Sequence, residues 1–218
     1  MMSENRGPVR VAVNVMRARL TVIGFNIAIV SFQIVQMPRL SGGISVHGVD
    51  HPVQVVAYMA LFMALALSLI SLIVFIMSCA LDDVGVCNHW SLVAGDLLMY
   101  LALAHTVSGF FAPLEGVMRT FAGRVPLQEA EALVLHKAVL ITSGFAWFLA
   151  IYGGALVSLV RSPFPRRTNF ALGIAYLVLL LVLAWVNSQA TMIEAVSLGE
   201  KPDMFVSVLR ELVQPLRW

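Results

Sequence analysis

The stretch that decides the fold covers residues 53–81 and reads VQVVAYMALFMALALSLISLIVFIMSCAL. None of these 29 residues carries a charge at neutral pH. An α-helix rises about 1.5 Å per residue and the hydrocarbon core of a bilayer is about 30 Å thick, so a helix of this length is more than long enough to cross it. The stretch therefore predicts a transmembrane helix.

Four other stretches share this apolar character, namely residues 20–37, 91–114, 138–160 and 171–185. Hydrophobic residues make up 60% of the chain and charged residues 12%, against roughly 45–50% and about 25% in soluble domains. Backbone polar groups inside lipid must be paired within the segment, and these stretches are too long for the strands of a membrane barrel. The sequence therefore predicts an all-α fold, a polytopic membrane helix bundle with about five transmembrane helices.

The predicted organisation has three parts, which are a cytoplasmic N-terminal segment (1–19), a five-helix transmembrane domain (20–196) and a C-terminal amphipathic helix (197–218). In the last part the apolar residues recur at helical spacing, and they are Phe205, Val208, Leu209, Leu212 and Val213. The other side of that helix carries Ser207, Arg210, Glu211 and Gln214. This pattern is typical of a helix at the membrane interface, with Trp218 as its anchor. A short helix packed against a neighbouring subunit fits the same pattern.

Arginine placement predicts the orientation of the chain. Arginines precede the first helix at positions 6, 10, 17 and 19, and they crowd the link between the fourth and fifth helices at positions 161, 166 and 167. Five spans place both segments on the same side, which the excess of basic residues in cytoplasmic loops assigns to the cytoplasm. We therefore expect an integral protein of a bacterial inner membrane with a cytoplasmic N-terminus and an external C-terminus. The net charge is only +2 and no basic run is dense, so no nucleic-acid partner is expected.

Polar side chains inside the spans are the candidate functional residues, because placing them in lipid costs free energy. The candidates for an ion pathway are Asn26, Gln33, Asp96, His105 and Asn187. Asp96 is the most costly of them, and three arrangements fit it: it faces an aqueous vestibule, pairs with Arg17 or Arg19, or stays protonated. Because the five residues occur in both halves of the membrane, they favour a channel or transporter for protons or small cations.

Five helices of this length close a compact bundle and leave little room for a pathway within one chain. Small residues on the fourth helix form a face that another helix can approach closely, and they are Gly144, Gly153, Gly154 and Ser158. A conduit between subunits is therefore expected. The predicted partners are the lipid bilayer and further copies of the chain in a homo-oligomer, or other membrane subunits.

A redox role is the main alternative function. Two histidines on antiparallel neighbouring helices must stand at similar depth to bind one haem iron, and His105 and His136 are the only pair close to that. His136 should nevertheless be shallower by about one to two helical turns, because it precedes the apolar run that begins at residue 138. On this alternative the chain is a membrane subunit of a redox complex that binds haem b or a quinone near these histidines. A non-catalytic scaffold subunit is a further alternative.

A metal site in the loops is the last candidate. His47, Asp50 and His51 occur together before the second helix, and imidazole and carboxylate ligands suit zinc or copper. Their spacing matches no strong metal motif, and Asp50 is equally suited to cap the second helix. The sequence has no nucleophile motif, phosphate-binding glycine loop or zinc-protease motif, so nothing in it favours an enzyme.

Overall fold

The computed structural model describes residues 9–10, 13–39, 43–81, 86–87, 89–122, 129–197, 199 and 201–213. Within these residues, five helical segments are long and apolar enough to cross a membrane, and they are Val15–Arg39, Val55–Ser78, Ser91–Leu114, Leu133–Val160 and Arg166–Ser197. The predicted all-α bundle with five spanning helices is therefore confirmed, and the chain is an integral membrane protein.

The helices follow one another along the chain with short connections. The first three are α1 (Val13–Gln36), which a 3-10 turn (Met37–Arg39) extends, α2 (Val55–Leu81) and α3 (Ser91–Ala122). The fourth spanning helix is continuous and has three parts, α4 (Glu129–Phe148), a π-helical segment (Leu149–Gly154) and α5 (Ala155–Val160). The last two are α6 (Arg166–Ser197) and α7 (Met204–Leu212). Two-residue strands, β1 (Val9–Arg10) and β2 (Val86–Cys87), pair antiparallel beside the bundle.

Consecutive spanning helices run in opposite directions. We call the face at which α1, α3 and α6 begin the N-terminal face, and the face at which they end the C-terminal face. The helix α7 follows α6 and therefore belongs to the C-terminal face. Which side of the membrane each face meets stays a prediction.

The fifth span is longer than the sequence predicted. The apolar run ends at Trp185, but α6 continues as a helix to Ser197. Asn187 and Ser188 are buried in the bundle, and the hydroxyl of Ser188 donates to the carbonyl of Trp185 at 2.7 Å. The helix therefore continues through these polar residues because their side chains find partners inside the protein.

The most extensive helix contact joins α2 and α3, and glycines of α3 make it close. A Cβ atom on Gly109 would stand 2.6 Å from the Leu61 side chain, and one on Gly95 would stand 2.9 Å from the Phe75 ring. Leu61 and Phe75 are fully buried. Glycine at these two positions lets the helix axes approach, which is the common way that membrane helices gain van der Waals contact.

Side-chain hydrogen bonds add to the packing of the first three helices. The amide of Asn26 on α1 donates to the Ser68 hydroxyl on α2 at 2.9 Å. The Ser71 hydroxyl, also on α2, donates to the carbonyl of Gly95 on α3 at 2.8 Å. Inside lipid such polar groups have no water to bond, so each pair is satisfied between helices instead.

The sequence suggested that Asp50 caps the start of α2. In the structure, a residue of α6 caps it instead. The loop before α2 is closed by two backbone hydrogen bonds of 2.9 Å between Ile44 and Val53, and Asp50 is exposed within it. The backbone N–H of Val56, in the first turn of α2, donates to the carboxylate of Glu194 on α6 at 2.9 Å. A carboxylate at this place satisfies a free N–H group and complements the helix dipole.

Large apolar side chains cover the outside of the bundle. Phe25 on α1, Ile141 on α4 and Phe170 on α6 each leave about two thirds or more of their surface exposed, at 67%, 72% and 71%. A soluble protein rarely exposes so much contiguous apolar surface, whereas lipid is the natural solvent for it. The exposed side chains therefore agree with the composition in indicating a membrane-embedded bundle.

Candidate functional site

Asp96 pairs with Arg19 across α3 and α1. Arg19 Nη2 donates to Asp96 Oδ2 at 2.6 Å, and the exposed fractions of the two side chains are 20% and 7%. The guanidinium carbon of Arg19 also lies 5.8 Å from the centre of the Phe75 ring. Of the three arrangements open to Asp96 from the sequence, the structure has the ion pair, about one and a half turns from the N-terminal face.

A second polar pair joins α3 and α6. Asn187 Nδ2 lies 3.3 Å from His105 Nδ1, and both residues are buried. With the amide as donor, Nδ1 is the ring nitrogen without hydrogen and Nε2 carries it. Within the part of the chain that the structure describes, His105 Nε2 and Asn187 Oδ1 have no hydrogen-bond partner.

The two pairs lie on opposite sides of α3. Asp96 and His105 are nine residues apart, which is two and a half helical turns and about 13 Å along the axis. Asp96 accordingly faces α1, and His105 faces α6. The residues predicted to form one pathway are therefore divided into separate groups.

The remaining members of the predicted pathway belong to neither pair. Asn26 bonds to Ser68 between α1 and α2, and Gln33 is half-buried near the far end of α1. The structure thus brings together His105 and Asn187 only. Whether ions use any of the five residues stays a prediction.

The short helix α7 packs back onto the bundle beside His105. The Tyr152 hydroxyl, from the π-helical segment, donates to the carbonyl of Leu212 at 2.7 Å. The Thr191 hydroxyl of α6 lies 3.3 Å from Glu211 Oε1, to which it donates. The Gln189 amide donates to the Met204 sulfur at 3.7 Å, and the Ser188 hydroxyl oxygen lies at the same distance from that sulfur. These contacts place α7 against α6 and the fourth helix.

Two polar residues of α7 face the bundle and two of its large apolar residues face outward. Ser207 and Glu211, one turn apart, are buried, whereas Phe205 and Leu209 leave 71% and 45% of their surface exposed. The sequence predicted an amphipathic helix of interfacial type, and an interfacial position stays a prediction. Glu211 is buried because the Thr191 hydroxyl of α6 offers it a partner inside the protein. Gln214 and Trp218 lie outside the described residues.

A small cavity of about 10 Å³ lies where these elements meet. The polar groups that line it come from His105 and Ser108 on α3, Asn187 on α6 and Glu211 on α7, and Trp147 closes one side. This volume is about that of one water molecule. A water there can accept the Nε2 hydrogen of His105 and donate to Asn187 Oδ1, which satisfies both buried atoms. We call His105, Asn187 and Glu211 the central cluster.

The π-helical segment sets the position of Tyr152. A π-turn widens the helix by one residue, and here the Tyr176 hydroxyl of α6 donates to the carbonyl of Ile151 at 2.6 Å. Gly154 lies against the ring of Tyr100 on α3. A Cβ atom on Gly154 would stand 2.5 Å from that ring, so the ring would have to shift to admit any larger residue. The small-residue face that the sequence suggested for an oligomer contact is therefore partly occupied by α3 of the same chain.

The two histidines proposed as haem ligands are far apart in depth. On the fourth helix, the residues that reach the His105 cavity are Trp147 and Ile151. His136 precedes Trp147 by eleven residues, or about 16 Å of helix. One iron cannot bind both imidazoles in this arrangement, because each iron–nitrogen bond is only about 2 Å long. The difference in depth between His105 and His136 is therefore larger than the one to two helical turns that the sequence suggested.

The histidines of the first loop are not assembled with other ligands. His47 is exposed and His51 is half-buried. Among the described residues, no group of three or more His, Cys, Asp or Glu side chains is close enough to hold a metal ion. The side chains of Glu115, Glu129 and Glu131 lie outside the described part.

Glu211 is the functional candidate that the sequence analysis overlooked. It was assigned to the water-facing side of an amphipathic helix, yet it is 4% exposed and lines the same cavity as His105. The available signal was the pairing of Ser207 and Glu211 at a spacing of four residues next to a strongly apolar face.

Comparison of this chain with known protein families, curated proteins and solved structures found no match.

Proposed function

We propose that this membrane protein is a transporter for protons or small cations and that the central cluster is its binding site. One observation carries the proposal: an imidazole, an amide and a carboxyl group from three different helices line one cavity within the spanning region. Polar and ionisable groups are expensive to place in a membrane interior, and where they converge they commonly form a substrate or proton pathway. An anchor without transport function has no need of such a cluster.

The chemistry of the cluster suits a proton or a small cation. An imidazole and a carboxyl group can each accept or release a proton, and a water held between them and Asn187 would link the two. For a cation, the oxygens of Asn187 and Glu211 are ligands of the right type. The site is too small for a larger substrate in the closed state, since the cavity is only about 10 Å³.

The closed cavity favours a transporter with alternating access over an open channel. Toward the N-terminal face, α3 presents Leu97 and Leu101 to the interior, and both are buried. Toward the C-terminal face, α7 covers the cavity through Glu211 and Leu212. Movement of α7 would open the cluster on that side, as lids and short gating elements do in other proteins.

The chain turns between α6 and α7 at a glycine. Gly199 has a φ of 79°, a left-handed conformation that residues with side chains rarely adopt.

A homo-oligomer, or assembly with other membrane subunits, remains part of the proposal, because the cluster as described gives no polar route to the N-terminal face. A partner helix beside α3 and α6 would be the place to complete it.

Flux measurements in liposomes test this function. The purified chain is reconstituted with a pH-sensitive dye inside, and a potassium diffusion potential drives proton entry. We expect entry well above that of empty liposomes, and a loss of at least tenfold in His105→Gln and in Glu211→Gln. Repeating the assay with sodium and a sodium-sensitive dye distinguishes a proton from a small cation.

Glu194→Gln is the matched control, because it makes the same chemical change on the same side of the membrane. Glu194 accepts a hydrogen bond from Val56 and does not line the central cavity, so this variant should keep its flux. Equal flux in the wild type, His105→Gln and Glu211→Gln would contradict the proposal. Loss of flux only in Asp96→Asn would instead place the route on the α1 side of α3.

A further inference from the structure

An apolar groove separates α5 from α6 near the N-terminal face. Its volume is about 370 Å³, and its walls include Leu156 and Leu159 on α5 and Phe170, Ile174 and Leu177 on α6. Between Asn169 and Leu177 it runs along eight residues of α6, which is about 12 Å. The groove therefore extends from the rim of the bundle toward its middle.

Gly173 keeps the groove open on the α6 side. A Cβ atom there would stand 3.6 Å from the Leu159 side chain, which is ordinary contact distance, so a small side chain fits and a large one would fill the space. Leu156 and Phe170 are largely exposed. In a membrane, such a groove is filled by something apolar.

Three arginines lie in the segment that joins α5 to the first turn of α6, at the same end as the groove. Arg166 precedes Phe170 by four residues and Gly173 by seven, so all three share one face of α6. Arg161, the residue that follows α5, and Arg167 are exposed as well. The sequence has no acidic residue between Glu131 and Glu194. The chain itself therefore offers this end of the groove no neighbouring carboxylate along either helix.

Asn169 adds a polar group at the same end of the groove. Its Nδ2 donates to the carbonyl of Phe164 at 3.3 Å, and the residue forms part of the groove lining. Its Oδ1 is buried and has no hydrogen-bond partner within the described residues. This oxygen can accept a hydrogen bond from a hydroxyl or ammonium group of a bound molecule.

We propose that this groove is a binding site for an anionic phospholipid. The phosphate pairs with Arg161 and Arg166, a headgroup donor bonds to Asn169 Oδ1, and one acyl chain lies along Gly173 toward Tyr176. Basic residues between helices at a membrane surface are the usual recognition element for such headgroups. A second copy of the chain docked through the same face is disfavoured, because it would bring two sets of arginines together.

Native mass spectrometry of the whole chain tests the proposal. The protein in detergent is mixed with equal amounts of phosphatidylglycerol and phosphatidylcholine that have the same acyl chains. We expect at least threefold more phosphatidylglycerol adduct on the wild type. The double variant Arg161→Gln/Arg166→Gln should lower that ratio to about one, whereas Arg39→Gln at the opposite face should keep it. An excess of soluble glycerol 3-phosphate should not displace the lipid, because it has no acyl chain for the groove.

A second variant tests the groove itself. Gly173→Phe should remove most of the phosphatidylglycerol adduct, and Ala171→Phe should not, because Ala171 is exposed on α6 and does not line the groove. Thermal unfolding of both variants checks that each is folded. Equal adducts of the two lipids on the wild type would overturn the proposal. So would full lipid retention in folded Gly173→Phe, or a dimer peak that Gly173→Phe abolishes.

Discussion

At the scale of single residues, the ion pair of Arg19 and Asp96 is the interaction whose loss should cost the most stability. Both side chains are largely removed from water, at 20% and 7% exposed, and they meet at 2.6 Å. Removing one member of such a pair leaves the other charge without compensation, which typically costs about 3–5 kcal/mol. Because Arg19 keeps some solvent contact, we expect Asp96→Asn to lower the free energy of unfolding by about 3 kcal/mol, measured by denaturation in detergent micelles.

The double variant Arg19→Gln/Asp96→Asn separates the ion pair from other effects of substitution. It should be less destabilised than the sum of the two single variants, by about 1–3 kcal/mol, because neither charge is then left alone. Asp50→Asn serves as the control, since Asp50 is exposed in the loop before α2 and its loss should change stability little. If Asp96→Asn unfolds like Asp50→Asn, the ion pair contributes nothing to stability.

At the scale of elements, one hydrogen bond joins the end of α7 to the fourth helix, and its removal tests whether α7 opens separately from the bundle. Its carbonyl end is tied to the bundle by the Tyr152 hydroxyl, which donates to Leu212 at 2.7 Å. A single hydrogen bond contributes about 1 kcal/mol net, so Tyr152→Phe should speed exchange of the backbone amides of α7 by about fivefold. Hydrogen–deuterium exchange with mass spectrometry of peptides from residues 204–213 measures this.

Tyr176→Phe is the matched control for this element. Tyr176 makes the same kind of bond, from its hydroxyl to the carbonyl of Ile151 at 2.6 Å, but it joins α6 to the fourth helix and not to α7. Its replacement should leave α7 exchange unchanged. Similar acceleration in both variants would mean that α7 opens together with the whole bundle, and then it cannot act as a separate cover for the central cluster.

At the scale of the whole molecule, the spans were predictable and the docking of α7 was not. The runs of apolar residues are long enough to determine helices by length alone, as residues 53–81 show. The orientation of α7 depends instead on which groups α6 and the fourth helix offer it, such as Thr191 and Tyr152, and these are distant in sequence. Helical periodicity identifies two sides of a helix but does not say which one meets the protein.

The candidate site, too, was predictable from the sequence only in part. Asp96 and His105 were recognisable as costly residues from their position within an apolar run, and their nine-residue separation already fixes opposite sides of α3. The partners of these two residues were harder to predict. Arg17 and Arg19 were both within reach of Asp96, and Asn187 was not the only amide within reach of His105. Glu211 could be placed beside His105 only once the chain reversal after α6 was known.

The bundle as a whole is organised around the contact of α2 with α3, which positions both polar pairs of α3. Gly109 is the tighter of the two glycines in this contact, because a Cβ there would stand 2.6 Å from the Leu61 side chain and 3.2 Å from its backbone nitrogen. Backbone cannot move aside as a flexible side chain can, so Gly109→Val should force the helices apart and lower unfolding stability by about 1–3 kcal/mol. Gly24→Val adds the same side chain to α1 where nothing lies within 4 Å, and it should be nearly neutral in the same denaturation assay. Should both valines prove equally harmless, close packing of α2 on α3 does not hold the bundle together.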